Sequence, residues 1–186
     1  KTALFVNVSD TDRSMDYFAK VFYEQLFQAL CDSADRDLEN SRLKVPVRII
    51  LDDFASNVKI EDFDKIISII RSREISVSLM LQSISQIQGL YTDKTAETII
   101  NNCDNILYLG GQDISTAEFI SIKANIPKSK VLSMPLNEAY LFTRGKEARK
   151  VEKYDIREHA KYKALKEANE SISKENQTKD SEMNME

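Results

Sequence analysis

The stretch VRIILDDFA, residues 47–55, carries the most legible chemistry in the chain. An apolar, partly β-branched run that ends in two adjacent acids sets both carboxylates at the C-terminal edge of a strand, where open α/β sheets hold their ligands. There the carboxylates of Asp52 and Asp53 can take a hydrated cation or polarise a water. Acids after a strand also form turns and cap helices, so the pair alone leaves both roles open. A second polar group stands nearby in the same pattern. The apolar run ISVSLML, residues 75–81, leads straight into Gln82. Its amide can donate to a phosphate oxygen and accept from water, or simply cap the helix that follows. Two cations, Arg71 and Arg73, close the helical pattern before that run, where they also suit a helix C-terminus.

The elements that must position these groups read as strands alternating with helices. Strands are expected at residues 3–8, 47–51, 75–81, 105–109 and 139–142, with a further edge strand at 148–151. Helical periodicity runs from Met15 through Phe18, Phe22 and Leu26 to Ala29, and again through Phe63, Ile66, Ile67 and Ile70. Two broken helical patterns cover 83–90 and 94–102, and Ser115 opens another as far as about Lys123. Residues 32–44 read as a polar loop. Several strands are continuous apolar runs, the pattern of strands buried on both faces of a parallel sheet. The expected fold is therefore α/β, with an open, doubly wound, mostly parallel sheet over residues 1–156. A charged helix and an acidic disordered tail are expected over 157–186.

The composition excludes several classes of function. The 186 residues carry a formal charge of −4, and six acids against two lysines between 167 and 186 account for all of it. Residues 1–166 are thus neutral overall, and nucleic acid would have to be met by a local patch. The main basic run is Arg144, Lys146, Arg149, Lys150 and Lys153, a pattern that also protects edge strands from aggregation. Cys31 and Cys103 lie in apolar helical contexts and read as reduced, buried thiols. With one histidine, His159, they have no usual zinc-binding spacing. No apolar run is long enough to span a bilayer. A chain opening at Lys1 directly before a strand pattern suggests an excised fragment.

Four separated motifs then occur in order: LDDFAS at 51–56, IRSREIS at 70–76, LQSISQ at 81–86 and NNCDNILYLGG at 101–111. Together they resemble the conjugative type IV secretion coupling proteins of the TraG/TraD type. That family reads close to LDEFAN, IRSRGIS, LQSxSQL and an NCD…LGG turn. The likeness runs from residue 1 to 111 and continues more weakly to 155. It implies the C-terminal part of a RecA-like P-loop ATPase domain. Asp52 and Asp53 would be the Walker B acids, with Mg²⁺ on Asp52 and the base at Asp53. Gln82 would sense the γ-phosphate, and Arg71 or Arg73 would reach a neighbouring subunit's nucleotide as an arginine finger. Asp53 departs from the usual glutamate and is one methylene shorter.

The whole motor implied by the resemblance is a hexamer at the cytoplasmic face of the bacterial membrane. It would use ATP and Mg²⁺, receive a relaxase bound to single-stranded DNA, and deliver it to the channel proteins. The phosphate loop GxxxxGK[ST] is missing: none of the four glycines, at 89, 110, 111 and 145, opens one. This chain alone is therefore expected to be monomeric and inactive. The rival readings are an FtsK- or HerA-like DNA translocase and a docking domain that kept the fold without nucleotide chemistry.

Overall fold

The computed structural model describes residues 2–9, 12–55, 58–166 and 168–169. The chain divides into two compact units, Lys1–Lys150 and Val151–Glu186. In the first unit, the Asp12 carboxylate accepts the Ser14 amide at 2.9 Å and starts a 3₁₀ turn that runs into helix α1, Asp16–Asp35. The helix passes the expected end near Cys31 into the segment read as a loop. Its buried face is also rotated from the expected one. Ala19, Phe27 and Ala34 are buried, whereas Met15 and Phe18 are exposed. The sequence offers two overlapping series at helical spacing, and packing selects the one whose Phe27 ring meets Phe63 edge-on at 5.9 Å.

Strand β1, Val47–Leu51, pairs in parallel with β2, Ile75–Leu79, so that Leu51 stands opposite Leu79. Between them lie α2, Phe63–Ile69, and a 3₁₀ turn closed by Glu74 in the left-handed region, φ 61°. Helices α3, Ile84–Leu90, and α4, Asp93–Asn101, follow β2, with Ser83 and Thr92 as their N-caps. Each cap hydroxyl accepts an amide that the first turn leaves unbonded. Strand β3, Asn105–Tyr108, leads through Gly110, φ 95°, to α5, Ile114–Ala124, and the short α6, Lys128–Leu132. Strands β4, Glu138–Thr143, and β5, Arg149–Glu152, complete a second sheet of order β3-β4-β5. In the second unit, Asp155 caps a 3₁₀ turn, and its Arg157 partner holds that carboxyl down at about 2. Residues 160–166 are helical and exposed. The acidic tail beyond residue 169 lies outside the described residues.

Three expectations are corrected. Residues 3–8 form no strand, and all of them but the half-buried Val8 lie exposed, Phe5 at 93%; an apolar segment becomes a strand only where a neighbouring edge completes its hydrogen bonds. The sheet is not mostly parallel, since β3 and β4 pair antiparallel, with Asn105 opposite Thr143. Among the described residues the parallel strands are also covered on one face only. Along β1 and β2, Ile49, Leu51, Ile75 and Val77 turn into the core while Ile50 and Ser78 face outward. A continuous apolar run permits two-sided burial but does not supply the second cover.

An aromatic cluster pins the acidic turn after β1. Phe54 lies against Phe63 at 5.0 Å and stacks on Tyr91 at 6.1 Å. The Tyr91 hydroxyl donates to the Ile60 carbonyl at 3.1 Å and accepts the Ile60 amide at 3.2 Å. Burial pushes this phenol up to about 12 from an ordinary 10.0. The sign follows from linkage: ionisation is disfavoured in the fold, so this contribution is complete below pH 10 and is lost as pH rises toward 12. Tyr91→Phe leaves two buried backbone groups without their partner. It should lower the stability measured by urea denaturation by about 2 kcal/mol, and an unchanged midpoint would show that water replaces the hydroxyl.

Candidate functional site

The parallel register brings the C-terminal ends of β1 and β2 level, and the acids sit just beyond. Met80 donates to the Leu51 carbonyl and Phe54 donates to the Met80 carbonyl, both at 3.0 Å, so the chain turns sharply across Asp52 and Asp53. The turn puts Asp53 in the left-handed region, φ 48°, a conformation that aspartate tolerates better than most residues. The Asp52 carboxylate accepts the Asp53 amide at 3.0 Å. Asp52 is exposed and Asp53 half-buried, and both border a cleft of about 780 Å³ shared with Tyr23 and residues 6–9.

Gln82 meets Asp53 here. Its Nε2 donates to Asp53 Oδ1 at 3.3 Å. The amide is oriented by Gln86, which donates from its own Nε2 to Gln82 Oε1 at 3.2 Å and accepts the Gln82 backbone N–H at 3.2 Å. Gln86 escaped the sequence reading. The signal available was a second glutamine in the first turn after the Ser83 cap, from where its side chain can fold back on the residue before the cap. The structure thus brings together three of the expected site positions, 52, 53 and 82, and adds a positioning residue.

The two arginines are not part of this group. They precede the first residue of β2, whereas Asp53 and Gln82 follow the last residues of β1 and β2. At about 3.3 Å per residue, the strand length puts them at the opposite end of the sheet. Arg73 is engaged by the fold: its Nε and Nη2 meet the two Asp35 oxygens at 2.9 and 3.0 Å, and Nη1 donates to the Ile69 carbonyl. Its side chain is 22% exposed. Arg71 is 73% exposed and makes one long contact, 3.4 Å, to Asp104. Asp104 also takes Arg144 Nε at 2.9 Å, and Lys150 is held by Glu138 at 2.6 Å, so the basic run is partly neutralised. Asp113 caps α5. Its carboxylate accepts the Thr116 hydroxyl and amide and the Ser85 hydroxyl, and these bonds hold it below the usual carboxylate range.

The donor set fits Mg²⁺ in one way only. Among the described residues no three acids, histidines or cysteines converge on a metal position. A single exposed carboxylate at Asp52 suits a hard, hydrated cation that draws its other ligands from water and phosphate. A triphosphate needs a cradle of backbone amides, and no glycine-rich loop of that kind occurs in the sequence. Cys31 and Cys103 are free thiols pushed up by burial, as inert structural cysteines are. No described helix is long and apolar enough to cross a membrane.

Residues 46–125 match the sequence family described as the TraM recognition site of TraD and TraG, which covers Asp52, Asp53, Gln82 and both arginines. The resemblance to TraG/TraD-type coupling proteins is thereby borne out over that segment. No match was found among curated proteins. Among solved structures, the chain is similar to the bacterial conjugative coupling protein TrwBdeltaN70 in its unbound monoclinic form, with a TM-score of 0.59 at 20% identity over 75% of this chain. It is similar at 21% identity to the plasmid coupling protein TrwB with ADP and Mg²⁺, TM-score 0.59, and with the non-hydrolysable GTP analogue GDPNP, TM-score 0.58. At such identity the likeness establishes the α/β fold. The chain spans 37–38% of the length of those TrwB chains.

Proposed function

We propose that this chain supplies one half of the nucleotide site of a conjugative coupling motor, the half that activates water and senses phosphate. The observation that carries this reading is the Gln82–Asp53 hydrogen bond of 3.3 Å at the level C-terminal edges of two parallel strands. The carboxylate is placed to take a proton from water, and the neighbouring amide can report whether a phosphate oxygen is present. Bound Mg²⁺ would neutralise phosphate charge, with Asp52 orienting its water shell. Asp53 would hold the attacking water, and Gln86 would keep the Gln82 Nε2 aimed at the site. Arg71, exposed and before the first residue of β2, would act on the next subunit's nucleotide in a hexameric ring. Arg73, tied to Asp35, serves the fold instead.

The rest of such a motor supplies the phosphate loop, the doubly wound cover of the sheet and the attachment to the cytoplasmic face of the membrane. ATP turnover would drive relaxase-bound single-stranded DNA toward the type IV secretion channel. The match to a family named for TraM recognition supports a relaxosome partner on residues 46–125. Calorimetric titration of this chain alone with ATP and Mg²⁺ tests the division of the site. No saturable heat and no turnover are expected, because the phosphate cradle is missing. Micromolar binding would mean that the chain holds a complete site of another kind.

A further inference from the structure

Helix α3 starts just after Gln82 and the Ser83 cap and is only seven residues long. So short a helix does not hold its own start in water, and other elements must fix it. Helix α5 does so through two side chains. The Ile84 amide, one of the first-turn donors that no carbonyl within a helix can satisfy, donates to Thr116 Oγ1 at 2.9 Å. The Ser85 hydroxyl donates to Asp113 Oδ1 at 2.8 Å. The Thr116 hydroxyl spends its own proton on Asp113 Oδ2, at 2.6 Å, and so presents its oxygen to Ile84. Asp113 therefore caps its own helix and anchors a second one. Gln86 completes the same turn of α3. Its amide donates to the Ser83 hydroxyl at 3.3 Å, and its carboxamide holds Gln82 at two points. A continuous series of contacts thus runs from Asp113 through the first turn of α3 to Gln82, and from Gln82 to Asp53.

We propose that Asp113 and Thr116 are positioning residues for the phosphate sensor and act on Gln82 through the first turn of α3. The need for them follows from the exposure of Gln82, because an exposed glutamine amide spreads over many rotamers unless a partner holds it. Gln86 is that partner, and it is placed no better than the turn that carries it. The one buried side chain of α3 is Ile87. A single apolar contact sets how deeply a helix sits but leaves its rotation loose, since such contacts have no preferred direction. Two hydrogen bonds to α5 are directional and fix the rotation. Helix α5 is a firm reference for them, with Ala117 and Ile120 buried on its inner face. The role assigned to Asp113 and Thr116 rests on the reading of Gln82 as sensor; the placement of the Gln82 amide does not.

Ser85→Ala tests this directly, since it frees α3 from Asp113 and leaves the Thr116 cap of α5 in place. In this chain, nitrogen relaxation of the Gln82 side-chain amide should show it loosened by Ser85→Ala and restored by Ser85→Thr, which keeps the hydroxyl. A Gln82 amide equally ordered in Ser85→Ala and in the parent overturns the proposal. In the full-length protein, Ser85→Ala and Thr116→Val should each lower kcat for ATP hydrolysis about tenfold, the scale of one lost hydrogen bond. KM should change by less than about twofold, because the sensor acts after the nucleotide is bound. Ser85→Ala combined with Gln82→Ala should be no slower than Gln82→Ala alone, as the turn then has no sensor to aim. Effects that add would show a purely structural role and overturn the proposal. So would normal turnover in Ser85→Ala and Thr116→Val beside lost turnover in Gln82→Ala. Normal turnover in Gln82→Ala itself would instead reject the sensor reading, and the relaxation result would still decide whether Asp113 places the amide.

Discussion

Asp53→Asn in the full-length protein should reduce DNA-stimulated ATP hydrolysis about a thousandfold, within the range general bases contribute, while ATP affinity changes by no more than about twofold. The substitution removes the proton acceptor and little else. Asparagine keeps the shape of the side chain, and its carbonyl can still accept the Gln82 Nε2 that now reaches Asp53 Oδ1 at 3.3 Å. Its tolerance of the left-handed region also suits the observed φ of 48°. Asp52→Asn should behave differently, weakening binding in the presence of Mg²⁺, because the role proposed for Asp52 is to orient the hydrated cation and not the attacking water. Steady-state turnover and nucleotide titration, run side by side, separate the two effects. Normal turnover in Asp53→Asn would show the acidic pair to be a turn former whose bonds to Gln82 are structural. Gln86→Ala offers a milder comparison: it frees the Gln82 amide without removing any group from the site, so turnover should fall by much less.

Arg71→Ala should collapse turnover by roughly a thousandfold or more, the scale of a finger supplied across an interface. It should leave the melting temperature almost unchanged. The contrast with Arg73 makes the experiment decisive. Arg71 is 73% exposed with one 3.4 Å contact, so little folding energy depends on it. Arg73 bridges both Asp35 oxygens and also bonds the Ile69 carbonyl, so Arg73→Ala should cost about 2 kcal/mol of stability. A guanidinium is suited to the transferring phosphate because it is permanently charged and donates from a planar fork. Mixing the Arg71→Ala and Asp53→Asn proteins should restore some activity, since certain interfaces regain an intact partner of each kind. Mixed rings without recovery, or Arg71→Ala with normal turnover, would place the trans-acting cation elsewhere. Arg144, which shares Asp104 with Arg71, is then the next to substitute.

The sequence by itself determined the elements and the acid pair. Strand β1 and its two carboxylates, and the apolar strand that leads to Gln82, are written in local chemistry: apolar runs and adjacent acids. These signals act over a few residues, so they survive in any context. The tertiary structure alone decided which of them meet. Gln82 reaches Asp53 because the parallel register sets Leu51 opposite Leu79, a choice made by packing across 28 residues. Two arginines that look equivalent in IRSRE diverge because Asp35, brought in by α1, lies within reach of Arg73 and not of Arg71. The buried face of α1 was settled by Phe63 meeting Phe27, since both candidate faces carry apolar residues at helical spacing. Sheet completion was the least legible property of all. Residues 3–8 and the edges of β2 and β3 carry strand-like sequences, but a strand is a relation between neighbours. Its hydrogen bonds belong to the partner as much as to the segment, so the residues of a segment do not by themselves say whether that partner is there.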